Sequence, residues 1–353
     1  MQGALLTVEK VSSLDSLNSH GRRLNDVGVA NELLTKERLL EHEPALQDNQ
    51  LAALFFPNTG HITNLTAVIN QLSITFRQLG GHIIEHCRVF EAKTNVEGIH
   101  LTTNQGDIVA SKVMLSAGAH SKILAKQLTG VNVPLDTERG YHLMLPHESA
   151  RLQMPVTSLD RRFVMTPMQE GLRLAGTVEY AGLEAPANMQ RAHILLQHAQ
   201  PMLKTPLNSV DSVPWMGFRP STSDSLPVID NIERVFLNFG HQHLGLTQAV
   251  VSAQIIAAYY FDEAHTIDPK PYQLARFTST TYEKLINSEK TTDISLSIIV
   301  LSTIVYCYAD LLSMSVTSLL GAESVAVMGK ECYYYPLRLE DPNQAMNRLS
   351  PHQ

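Results

Sequence analysis

Val235-Phe236-Leu237-Asn238-Phe239 runs directly into Gly240-His241-Gln242-His243-Leu244-Gly245-Leu246-Thr247, and this junction sets the fold class. The first five residues are an apolar run of strand length, and an apolar stretch of helical length continues to about Phe261. A strand, a glycine-bearing turn and a helix in that order place a helix N-terminus at the rim of a sheet. Free N–H groups and the positive end of the helix dipole there stabilise an electron-rich group. Gly240 and Gly245 let that group approach the backbone. A strand-to-helix turn with no ligand has the same pattern, so neighbouring segments must decide.

Upstream, Trp215-Met216-Gly217-Phe218-Arg219-Pro220 fixes an arginine between an aromatic ring and a proline. Its fork of donors suits a carboxylate held through two bonds, although a surface ion pair is an equal use of it. Further upstream, the strand-like Lys112-Val113-Met114-Leu115-Ser116 ends in Ser116-Ala117-Gly118-Ala119, small residues that admit close backbone approach before a helix over 121–128. Asn64 is placed to cap a helix running to Leu79, ended by Gly80-Gly81. Short apolar runs between 82 and 109, with a hairpin turn at 104–107, predict a small antiparallel meander. Residues 131–212 read as an antiparallel sheet with one helix over 189–203. The chain starts with a strand over 4–8, a helical stretch ending near Gly28, and a short helix over 35–41.

Length and composition bound the answer. The 353 residues are enough for two domains, and 44% hydrophobic with 17% charged residues excludes disorder, collagen and coiled coil as the main theme. A net charge of −7 without a block of lysine and arginine argues against nucleic acid. Cys87, Cys307 and Cys332 lie far apart, which argues for a reducing compartment and against a thiolate metal site. The apolar run over 294–309 is slightly short of a membrane helix, so contact with a membrane stays open.

With these motifs in order, the chain resembles the FAD-dependent amino-acid oxidoreductases of the D-amino-acid oxidase superfamily, and among them most the small subunit of bacterial D-amino-acid dehydrogenases. Phe56-Pro57-Asn58-Thr59-Gly60-His61 is similar to the superfamily's turn before a helix. Arg88 and Val89 correspond to the strand whose backbone meets the adenine. Ser116, Ala117 and Gly118 correspond to the turn beneath the cofactor, and Arg219 to the arginine that holds the substrate carboxylate. Gly240, His241, Gly245, Leu246 and Thr247 correspond to the C-terminal flavin motif. Tyr141, in Arg139-Gly140-Tyr141-His142, corresponds to a Gly-Tyr strand on the substrate side, with packing between sheet and helix as its other reading. His241 could polarise substrate or flavin, although imidazoles in such turns more often satisfy backbone carbonyls.

The resemblance implies FAD as cofactor, no metal, and oxidative deamination of an amino acid, of D configuration, by hydride transfer to the flavin. Electrons would pass to a quinone or another acceptor, from a cytoplasmic protein or one peripheral at the inner face of the membrane. No side-chain base is required, and none is assigned. The alternatives are a remnant that binds no FAD and an oxidase or dehydrogenase of sarcosine, glycine or hydroxyproline. The superfamily's Gly-x-Gly-x-x-Gly unit is absent from the chain, which opens at a point inside the superfamily's pattern. The expected architecture is α+β with α/β elements: an N-terminally truncated, Rossmann-like FAD domain over 56–122 and 213–277, interwoven with an antiparallel substrate domain over 1–55 and 123–212. An atypical tail covers 278–353. The missing unit is expected to leave Val113–Ser116 and Val235–Phe239 beside a gap or an exposed edge.

Overall fold

Strands of two kinds, alternating and wholly apolar, sort into two large sheets. The computed structural model describes residues 2–278 and the backbone of two further strands, Ile298–Ser302 and Ser324–Met328. The alternating strands form an eight-stranded sheet in the order Val213–Thr222, Leu135–Leu145, Gly171–Tyr180, Phe163–Met168, Val156–Ser158, Ala4–Val8, Ala52–Phe56, Glu32–Thr35. Every neighbouring pair is antiparallel except Ala4–Val8 with Val156–Ser158. The helix Gln190–Ala199 lies on one face and buries Ala192, Leu195 and Ala199 in a core with Leu143, Leu145, Leu172 and Leu174. This helix stops short of the expected Leu203 because Pro201 cannot donate to the helical ladder; a 3₁₀ turn, Gln200–Met202, takes over.

The second sheet has six strands in the order Val228–Ile232, Val235–Phe239, Lys112–Ser116, Ile298–Ser302, Ser324–Met328, His82–Ile84. Only the first pair is antiparallel; the other four pairings are parallel. Helices cover both faces, as parallel strands demand. Ser121–Thr129 packs Leu124, Ala125 and Leu128 with Val113, Leu115 and Leu237, while Gly245–Phe261 packs Ile255 and Ile256 with Ile229 and Phe236. Adjacent Phe236 and Leu237 thus serve opposite helices, which explains why this strand shows no polar alternation. A small antiparallel sheet of Val89–Thr94, Ile99–Thr103 and Gly106–Ala110 joins the second core.

The helix Leu65–Gln78 starts where its cap predicts: Asn64 Oδ1 accepts from the Ala67 N–H at 2.9 Å. The expected gap beside Lys112–Ser116 is corrected. That strand is bonded to Val235–Phe239 on one side and to Ile298–Ser302 on the other. Five residues of the apolar run 294–309 are this strand, Ile298–Ser302, and the rest of the run lies outside the described residues, as do Cys307 and Cys332. Among the described residues no helix is long and apolar enough to cross a membrane.

Candidate functional site

The edge strand Val213–Thr222 connects the two sheets. Pro220 O accepts from the Gln242 N–H at 3.0 Å, and Ser221 forms a bridge with His241. The turn after Val235–Phe239 is therefore stitched to the strand within three residues of Arg219. Gly240 has φ +85°, which favours glycine, and a Cβ there would lie 3.0 Å from the Thr222 methyl. The helix Gly245–Phe261 begins five residues on, and its N-cap, Leu244, supplies no side-chain acceptor. His241 is turned toward this helix, with Nε2 2.8 Å from Ser252 Oγ, and burial lowers its pKa to about 4. It is neutral at pH 7. Leu246 is half-buried and Thr247 exposed in the first turn.

Strand pairing puts Arg219 opposite Glu138, Gly217 opposite Gly140, and Trp215 opposite His142. Directly opposed residues share a face, so these six form one surface. Two glycines make room on it. The Arg219 guanidinium lies across Gly140, where a Cβ would meet Nε, Cζ and Nη2 at 2.8 Å, and the Trp215 indole lies over Gly217. Trp215 stacks on the His142 imidazole with centroids 4.7 Å apart and planes 18° from parallel. His142 is pushed down to about 3 by burial, helped by the charge of Arg173, and is a neutral ring at pH 7. Arg219 Nη1 lies 3.8 Å from Glu138 Oε1, with side-chain exposures of 29% and 18%.

Tyr141 is one residue out of phase with this surface. It pairs with Met216 and is 1% exposed, within the core beneath Gln190–Ala199. Its hydroxyl, raised in pKa by burial and then by Glu179, donates to Glu179 Oε2 at 2.6 Å and accepts from the Asn188 N–H at 3.2 Å. Tyr141, expected on the substrate side of the flavin, faces away from Arg219, because a shift of one residue along a strand reverses the face, and it packs between sheet and helix as its other reading has it. Arg139 shares that face, fully buried, with Nε donating to Gly182 O at 2.8 Å and Nη1 to Pro186 O at 3.3 Å.

The turn Ser116-Ala117-Gly118 closes the strand Lys112–Ser116, with Gly118 at φ +53° opening a 3₁₀ turn that leads into Ser121–Thr129. His120 in that turn meets Phe218 edge-on at 6.2 Å, which brings the turn to the arginine-bearing strand. Arg88 and Val89 stand apart from these elements at the start of the small sheet, with the Arg88 N–H donating to Asn104 Oδ1 at 2.6 Å and the Arg88 guanidinium 5.7 Å from the Phe90 ring centroid. Glu138, Trp215 and Ser252 were not singled out from sequence. The signal for the first two lay in the register with Arg219 and His142, which appears only once the strands are paired.

A family model described as FAD dependent oxidoreductase matches residues 1–259. A D-amino-acid oxidase of Bradyrhizobium diazoefficiens is 29% identical over 267 residues, covering 74% of this chain and 63% of that protein. A D-amino acid dehydrogenase of Vibrio atlanticus is 25% identical over 286 residues, covering 78% and 68%. The chain thus spans about two thirds of the length of these relatives. Glycine oxidase from Geobacillus kaustophilus has the same fold, with a TM-score of 0.69 at 21% identity over 78% of this chain and 75% of that one. The chain belongs to the family of FAD-dependent oxidoreductases.

Proposed function

We propose that this protein oxidises the C–N bond of a small amino acid whose carboxylate is held by Arg219, with D-amino acids as the first substrate class. The observation that carries the reading is the Arg219–Glu138 pair on a cleared surface: a guanidinium laid over Gly140 with a carboxylate 3.8 Å away. These two opposite charges match those of a zwitterion. Arg219 takes the substrate carboxylate through paired N–H bonds, and Glu138 accepts from the substrate ammonium group. The flat neutral wall of His142 and Trp215 favours an uncharged side chain. D-amino acids are favoured by the relatives named D-amino-acid oxidase and D-amino acid dehydrogenase.

The described residues suit the isoalloxazine end of FAD. The Gly240 turn would permit close approach, and the N-terminal amides of Gly245–Phe261 would stabilise negative charge held at that end of the helix. Ser121 Oγ and Gln248 Oε1, buried without partners among the described residues, sit in the first turns of the two helices that open at this edge of the sheet. When bound, FAD supplies a two-electron acceptor. The chain's own part is to bind and orient the substrate, keep His142 and His241 neutral, and stabilise negative charge with a helix end.

The test is Arg219→Ala measured with a dye acceptor over D-alanine, D-proline, glycine, sarcosine and hydroxyproline, alongside the visible spectrum after incubation with FAD. kcat/KM is expected to fall about a thousandfold, roughly 4 kcal/mol, with flavin bands retained. Unchanged kcat/KM would remove Arg219 from the site. Preference for glycine or sarcosine over D-alanine would move the substrate class, and a colourless wild-type protein would overturn the flavoenzyme reading.

A further inference from the structure

We infer that the strands Ile298–Ser302 and Ser324–Met328 take the first and second positions of the nucleotide-binding sheet, although they follow its third, fourth and fifth strands along the chain. Strand order assigns these positions. In doubly wound sheets that bind dinucleotides the spatial order is 3-2-1-4-5, with strands 1 and 2 joined by the first crossover. Read in that order, the parallel strands here are His82–Ile84, Ser324–Met328, Ile298–Ser302, Lys112–Ser116 and Val235–Phe239. Along the chain the same strands come as 3, 4, 5, 1, 2, a cyclic rotation of the usual sequence.

Three further observations agree. Ile-Ile-Val-Leu-Ser and Ser-Val-Ala-Val-Met have the unbroken apolar and small-residue character of central parallel strands. Residues 303–323 lie between them, more than the dozen or so that a parallel crossover needs. The register is continuous: Ile299 pairs with Val113 and with Val325, and Ser302 is level with Ser116. A ligand crevice in such a sheet opens at the carboxyl ends of strands 1 and 4, where the order reverses. Those ends are Ser302 and Ser116, the second of which leads into the Ala117-Gly118 turn. The strand Ile298–Ser302 therefore lies at one wall of the nucleotide crevice, with Ser302 where a glycine-rich turn ordinarily starts.

The inference concerns the sheet and does not depend on the substrate or on the flavin. Hydrogen exchange followed by mass spectrometry on the full chain, without added ligand, tests it directly. Amides within 298–302 and 324–328 are expected to exchange at least about a hundredfold more slowly than unprotected peptide, in step with those of 112–116. Exchange at the unprotected rate in both segments, with 112–116 still protected, would overturn the inference. Val300→Pro removes a ladder donor at the centre of strand 1. It is expected to cut protection in 82–84 and 112–116 at least tenfold while 135–145 and 213–222 keep theirs. Equal protection of 112–116 in the variant and the wild type would likewise refute it. Because the wild-type measurement stands alone, a variant that fails to fold leaves the inference open to refutation.

Discussion

The eight-stranded and six-stranded sheets solve the same burial problem in opposite ways. In the first, one face rests on a helix and the other carries Glu138, His142, Trp215 and Arg219, so Leu135–Leu145 alternates between buried and less buried positions. In the second, helices cover both faces, and Val235–Phe239 and Ile298–Ser302 are nearly continuous apolar runs. The alternating sheet advertises its geometry in its sequence and can carry polar chemistry on its open face. The doubly covered sheet holds charge within its strands only where it is paired or at a strand end, as with Asp230, which accepts from the Asn231 and Leu274 N–H groups, and Lys112, and its glycine-bearing turns lie at the strand ends, at Ser116–Gly118 and Gly240–Gly245.

If the sheets differ in this way, core truncations should separate them. Leu174 and Leu237 are both fully buried, one in each sheet. Replacing either by alanine is expected to cost about 2–5 kcal/mol, read from urea denaturation. Hydrogen exchange sharpens the comparison: Leu237→Ala should loosen 112–116 and leave 163–180 protected, and Leu174→Ala the reverse. Equal loosening of both sheets by both variants would mean that they unfold as one unit.

Acid titration probes the polar groups that each region has taken out of water. Burial pushes His142, on the open face of the first sheet, down to about 3, and His241, at the rim of the second, down to about 4. Both values lie below the ordinary histidine value of about 6.5, so the unfolded chain binds the extra protons. These contributions are therefore present in full above about pH 6.5 and are lost as pH falls toward 4 and 3. The loss should approach about 1.4 kcal/mol per pH unit for each ring in that window. Denaturation midpoints at pH 7 and pH 4.5 should narrow in His142→Asn and His241→Asn relative to wild type. An unchanged pH dependence in both variants would show that neither ring is buried neutral.

The smallest effect tests the cleared surface. A Cβ at Gly140 would lie 2.8 Å from the flexible end of Arg219, so Gly140→Ala should shift the guanidinium while costing little stability. About a tenfold loss of kcat/KM, close to 1.4 kcal/mol, with a melting temperature within a few degrees of wild type is expected. A large loss of stability with unchanged kcat/KM in the surviving fraction would assign Gly140 to packing instead.

Local chemistry was legible in the residues themselves. Asn64 announces a helix start because its side chain can accept from an N–H three residues on, and Pro201 ends a helix because it has no N–H to give. The Gly240 turn between an apolar strand and an apolar helix marked one rim of the site, and the period-two runs marked the antiparallel sheet. Tyr141 and the 294–309 run were less legible, for a shared reason. An alternating strand states that its neighbours face opposite ways without stating which face meets the substrate, and an apolar run states that it avoids water without naming its shelter. Pairing with Val213–Thr222 put Tyr141 beneath the sheet and set Glu138 beside Arg219. Pairing with Lys112–Ser116 placed Ile298–Ser302 in the centre of the second sheet. Which residues must leave water and where the backbone must turn follow from side chains and their near neighbours, and so were readable along the chain. Which distant strands became neighbours was settled in three dimensions, because parallel pairing rests on long-range hydrogen bonds and burial that no local window contains.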